Sequence, residues 1–179
     1  LFLALDGHAG TLAAAPAMVS ASAAMSETER PRKFLVVVDK TPESKVAVRF
    51  AARRAQHTGG RVTLLCVAQP ADFQQWRGVE EIMKDEAHQE AEGLIYAAAK
   101  TVNELAGIIP ELVICEGRPT EALLDLVKSD RDISILVLAA GMAKEGPGPL
   151  VSLFAGGVQA IPVTIVPGNF SEEKIDELA

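Results

Sequence analysis

"FLVVVD" at residues 34–39 runs straight into "KTPESKVAVRFAARRAQHTGG" at residues 40–60, and the junction of the two decides the fold. The first run is short, almost wholly apolar, rich in β-branched residues and closed by an acid, which is the pattern of a parallel strand covered on both faces. Thr41 then offers an N-cap, and Pro42 a first helical position where the missing N–H would have had no partner anyway, so a helix is predicted to start there. Val46, Phe50, Ala51 and Ala55 fall on one side of it, and Gly59 with Gly60 ends it.

The same alternation continues outward along the chain. "RVTLLCVA" (residues 61–68) reads as a second strand, and a polar stretch leads to a long helix over residues 79–106. Within it Val79, Ile82, Met83, Ala87, Ala91, Leu94, Ile95, Ala98, Val102 and Leu105 keep a helical period, with Glu80, Glu81, Asp85, Glu86, Glu90 and Glu92 opposite. "ELVICEG" supplies a third strand, "RPTEALLDLVKS" a helix with Pro119 near its start, and "ISILVLAA" a fourth strand. A Gly- and Pro-rich loop, a short helix "PLVSLFA" and a fifth strand "IPVTIVPG" follow. Strands alternating with helices imply right-handed crossovers, hence an α/β domain with one doubly wound, five-stranded parallel sheet and helices on both faces. Ligands of such sheets lie beyond the carboxyl ends of the strands where the winding reverses, which directs attention to Asp39, the backbone after Val67 and the loop from Gly141.

Composition narrows the classes of function. A chain of 179 residues, 49% of them apolar, suits one domain with a sizeable core. A formal charge of −7 and a pI near 5.0 argue against nucleic acid, which needs a basic face to displace counterions. No run after the first residues is long and apolar enough to suggest a membrane partner. Cys66 and Cys115 each sit in an apolar strand and read as reduced core residues, a bridge remaining open if their strands are neighbours. Residues 1–24, Ala-rich and without Lys or Arg, are expected to be a disordered cloning remnant or upstream extension; a cleaved export signal is the lesser reading. Residues 25–167 then form the domain, and residues 168–179 an acidic tail that could make a frayed amphipathic helix through Phe170, Ile175 and Leu178.

Several stretches together resemble the universal stress protein superfamily: "VVVDKTPES", "VTLLCVAQP" before a long helix, "EGRP", "ILVLAAG" and the Pro-started "IPVTIVPG", in this order and spacing over residues 33–167. The resemblance implies an adenine nucleotide alpha hydrolase-like fold, a small cytoplasmic dimer paired through its last strand, and, in a subset, ATP binding. The dimer contact would then fall on Val163, Thr164, Ile165 and Val166. These would form an edge strand whose free N–H and C=O groups a second copy could satisfy.

In the nucleotide-binding subset the loop after the fourth strand resembles Gly, two residues, Gly, nine residues, Gly, then Ser or Thr. Glycines let backbone N–H groups approach phosphate, and the hydroxyl adds a donor at a helix start. Counted forward, Ala143 stands for the first Gly, Gly146 for the second, and Gly156 is followed by Gly157 with no hydroxyl. Counted back from Pro162, Gly148 and Pro149 start the helix, the loop is shorter, and Pro149 takes the hydroxyl's place; this register is preferred. The phosphate motif is intact in neither.

Candidate nucleotide-binding residues are therefore Asp39, Lys40, Val67, Gly141, Lys144, Gly146 and Gly148. The plainer alternative has Pro147, Gly148 and Pro149 as a rigid connection, Lys144 as a solvated charge and Asp39 as the cap of the turn into the first helix. No nucleophile elbow, phosphate-loop signature or triad occurs, so catalytic residues are expected to be none. His88 with Glu92 and Asp85 reads as a solvated face rather than a metal site, His57 as a helix-end imidazole, and Trp76 as an anchor for the long helix. The expectation is a cytoplasmic, dimeric stress-response module that binds partners without catalysis or cofactor. The alternative is an ATP-binding regulator with weak hydrolysis.

Overall fold

In the computed structural model all six residues of the first strand, β1 (Lys33–Val38), are buried, as its near-continuous apolar run requires of a strand covered on both faces. The structure describes residues 31–69, 80–142, 146–157 and 161–179. Expectations placed on residues 1–24, Trp76, Val79, Ala143, Lys144 and the side chains of Glu80 and Glu81 lie outside the described residues.

The elements after β1 are α1 (Pro42–Thr58), β2 (Arg61–Ala68), α2 (Glu80–Ala106), β3 (Glu111–Glu116), α3 (Pro119–Ser129), β4 (Ile133–Ala140), α4 (Pro149–Ala155), β5 (Val163–Pro167) and α5 (Glu172–Leu178). All neighbouring strands are parallel, in the order β3-β2-β1-β4-β5. The winding thus runs outward from β1 to β3 and restarts on the other side at β4, leaving the switch point between β1 and β4. Phe34, Val36 and Val38 pack with Ala47, Ala51 and Ala55 of α1 and Ile95 and Val102 of α2. Leu35 and Val37 pack on the opposite face with Leu123 of α3 and Phe154 of α4. The period-2 alternation of β1 therefore feeds two separate cores.

Thr41 is the N-cap of α1, its hydroxyl accepting the Ser44 N–H, with Pro42 next; Gly59 closes the helix in the left-handed conformation at φ 65°. The buried stripe runs through Ala47, Val48, Ala51, Ala52 and Ala55, while Val46 and Phe50 are only half-buried, because small residues let the helix lie close on the sheet. A second difference lies in α2, where Ile82, read as core-facing, is 59% exposed. A helix of 27 residues is about 40 Å long and the eight-residue β2 about 26 Å, so the first turns of α2 overshoot the sheet and only from Ala91 onward does the stripe become buried.

The acidic tail also differs from expectation. Rather than fraying, it forms α5 against α1: the Ser171 hydroxyl accepts the Lys174 N–H, and Ile175 is 1% exposed. Arg49 grips Asp176 with Nε and Nη2 at 2.9 and 2.7 Å, and Arg53 Nε adds a bond at 3.1 Å. The two cysteines do lie on neighbouring strands, but Cys115 stands opposite Val67 in register and its side chain faces the second core while Cys66 faces the first. Both are free thiols on opposite faces of the sheet, which rules out a bridge between them.

Candidate functional site

A cavity of about 240 Å³ opens at the carboxyl ends of β1 and β4, at the switch point. Asp39, Val67, Gly141 and Gly148 of the sequence-derived candidates line it together, beside Val38, Thr41, Glu43, Ser44, Pro147 and Pro149. Lys40 turns away and pairs with Glu90 on α2 at 2.7 Å, at the rim of an adjoining cavity. Gly146 is not on the wall; its carbonyl oxygen backs Gly141 instead. Lys144 lies outside the described residues.

Asp39 is held by its own turn. Its Oδ1 accepts the Thr41 N–H at 2.8 Å and also the Thr41 hydroxyl, while its N–H donates to Ser44 Oγ at 3.2 Å. One carboxylate oxygen is thereby committed to starting α1, as an Asx turn does. Beyond β4 the backbone is committed as well. The Gly141 N–H donates to the Pro147 carbonyl at 3.1 Å, and the Met142 N–H to Glu43 Oε1 at 3.3 Å. Prolines 147 and 149 have no N–H to offer. Gly148 sits at φ 96°, a backbone region that side-chain-bearing residues avoid, and this lets the chain turn abruptly into α4. Among the described lining residues there is neither Lys nor Arg, whereas two carboxylates are present.

Glu43 was missed by sequence reasoning. An acid in the first turn of a helix ordinarily signals only a favourable dipole interaction, and its partner Met142 is 99 residues away. Ser44, which bridges the Asp39 N–H and the Val37 carbonyl, was equally hidden. At the adjoining cavity, burial, with the charges of Asp39 and Glu90, pushes the Cys66 thiol above its usual range.

The model of the universal stress protein family matches residues 31–147. The chain belongs to the universal stress protein family. Solved structures of that family share the fold. One is the universal stress protein UspA from Lactobacillus plantarum, with TM-score 0.65 and 19% identity over 76% of this chain and 98% of that one. Another, the universal stress protein from Archaeoglobus fulgidus in complex with dAMP, has TM-score 0.54 and 20% identity over 76% and 98%. A third is a universal stress protein family protein from Arabidopsis thaliana with AMP bound, with TM-score 0.54 and 18% identity over 76% and 92%. No curated protein matches the sequence significantly. This family member's cavity lies where doubly wound sheets hold ligands, but its described walls carry carboxylates rather than cations. On α2, His88 and Glu92 are 3.6 Å apart on the exposed face, and the described residues contain no cluster of three metal-ligating side chains. None of the described helices is long and apolar enough to cross a membrane.

Proposed function

We propose that the chain is a cytoplasmic, non-catalytic stress-response module that acts as a homodimer and through partner binding, with a nucleotide cavity that has lost its grip on a triphosphate. The observation that carries this reading is that donors beside the cavity are already engaged: among the described loop residues Gly141 gives its N–H to Pro147, Met142 gives its own to Glu43, and two prolines have none. A triphosphate brings several negative charges and needs matching donors or cations; here it would face Asp39 and Glu43. Dimerisation is supported by the position of β5 at the edge of the sheet.

The competing reading, an ATP-binding regulator with slow hydrolysis, is favoured by the cavity's position at the switch point and by the relatives crystallised with AMP and dAMP. It would use Asp39, Lys40, Val67, Gly141, Lys144, Gly146 and Gly148. Isothermal titration separates the two. In the proposed reading ATP with Mg²⁺ binds no more tightly than adenosine; tight ATP binding that Lys144→Ala weakens would establish the regulator instead.

A further inference from the structure

Glu43 lies where three distant segments meet. It belongs to the first turn of α1, its Oε1 accepts the N–H of Met142 just beyond β4, and its stem lies against the turn after β5. At that turn the Gly168 N–H donates to the Ala140 carbonyl at 3.1 Å. A Cβ added at residue 168 would collide both with Glu43 Cγ and with the Ala140 carbonyl oxygen, so only glycine leaves room for the side chain in this position. The stem of Glu43 is therefore held in place, and the residue stands on the cavity wall with Asp39.

We infer that Glu43 is the selectivity residue of this cavity: its carboxylate holds the Met142 N–H beside the cavity and, with Asp39, puts negative charge on the wall, so that uncharged, donor-bearing ligands are favoured over phosphorylated ones. The inference rests on the proposed reading that this cavity has lost its grip on a triphosphate. A fixed acceptor that fills a donor, with a like charge at the same place, discriminates by repelling the wrong ligand rather than by gripping the right one. A hydroxyl or amine of a neutral ligand can donate to Glu43 or Asp39, whereas a phosphoryl group finds neither a free donor at Met142 nor a cation among the described lining residues.

The test is a titration of isotopically labelled protein with adenosine, AMP and inorganic pyrophosphate, followed at the backbone amides of Gly141 and Met142. Wild type is compared with Glu43→Gln, which removes the charge, Glu43→Ala, which also frees the N–H, and Gly168→Ala, which displaces the side chain. The expected result is at least a tenfold rise in the affinity of AMP relative to adenosine in both Glu43 variants. Saturable pyrophosphate shifts at Met142 are expected in Glu43→Ala and Gly168→Ala but not in wild type. The inference is overturned if folded Glu43→Ala gains no affinity for AMP or pyrophosphate, or if wild type already binds pyrophosphate at these amides as tightly. Should adenosine bind no form while Glu43→Ala gains pyrophosphate, an adenosine-type occupant is excluded and the role of Glu43 in excluding anions stands.

Discussion

Lys33 begins the central strand with its side chain 5% exposed, held between the carboxylates of Asp130 and Glu111 at the end of the sheet opposite the cavity. Arg61 extends the group to Asp132 and Glu111, and Ser134, the extra residue where β4 slips register, accepts the Lys33 N–H. Burial works against charge on Lys33, but its hydrogen bonds to Asp130 and then Glu111 prevail and raise its pKa. Burial likewise opposes the charge on Asp130, and the Lys33 ammonium overrides it, holding that carboxyl below its ordinary 3.8. A depressed carboxyl contributes stability above its unfolded value and loses it as pH falls through its folded one; the raised lysine contributes below its ordinary 10.5 and loses it above. Lys33→Met should cost about 1–3 kcal/mol at neutral pH in urea unfolding, since it leaves two carboxylates facing each other with partial solvent access. The deficit should shrink as pH falls from the ordinary 3.8 through the lower folded value of Asp130, over which that carboxyl takes up a proton.

Helix α5 shows how an element too short to stand alone is secured. Seven residues cannot hold a helix in water, so its stability comes from docking: Ile175 in the apolar contact, Asp176 between two guanidiniums, and the His57 imidazole 2.9 Å from the Ala179 carbonyl oxygen. The Arg49 hydrogen bond holds the Asp176 carboxyl below its ordinary range, so the clamp's contribution is fully present above the ordinary 3.8 and is lost as pH falls through the lower folded value. Ile175→Ala should remove about 2–4 kcal/mol of docking and strip hydrogen-exchange protection from residues 171–179 while leaving the β1 amides protected. Loss of protection throughout the sheet instead would mean that α5 is part of the cooperative core. At the other end of α1, Thr41→Ala should cost about 1 kcal/mol in thermal or urea unfolding, because the Ser44 N–H loses the Thr41 hydroxyl that caps it and Asp39 Oδ1 loses that hydroxyl as a donor, keeping only the Thr41 N–H.

For the molecule as a whole, the two sheet edges are unlike. β3 carries Glu111 and Glu116 at its ends, whereas β5 offers Val163, Thr164, Ile165 and Val166 without a charge, and Ile165 is 42% exposed. Charged ends discourage pairing and an uncharged strand permits it, which makes β5 the edge that a second copy would extend. Light scattering after size-exclusion chromatography should give a dimer mass at micromolar concentration. Ile165→Lys, which sets like charges close together across a two-fold axis, should give a folded monomer. A wild-type monomer would remove β5 from consideration.

The order of strands and helices was legible in the sequence because each carries a local signal: an unbroken apolar run for β1, a cap followed by proline for α1, and the Pro149 start and Gly156 stop of α4. The same local signals suggested that the loop after β4 was a poor phosphate cradle, since proline lacks an N–H wherever it falls. They could not say that Ile82 would be exposed, because a period along a helix does not record where the sheet beneath it ends. Nor could they reveal that the tail would dock or that Glu43 would take the N–H of Met142, 99 residues further on. The sequence by itself determined the elements, the faces of the strands and the switch point; only the tertiary structure decided which polar groups there are already engaged, because hydrogen-bond partners far apart in the chain meet only once the fold has brought them together.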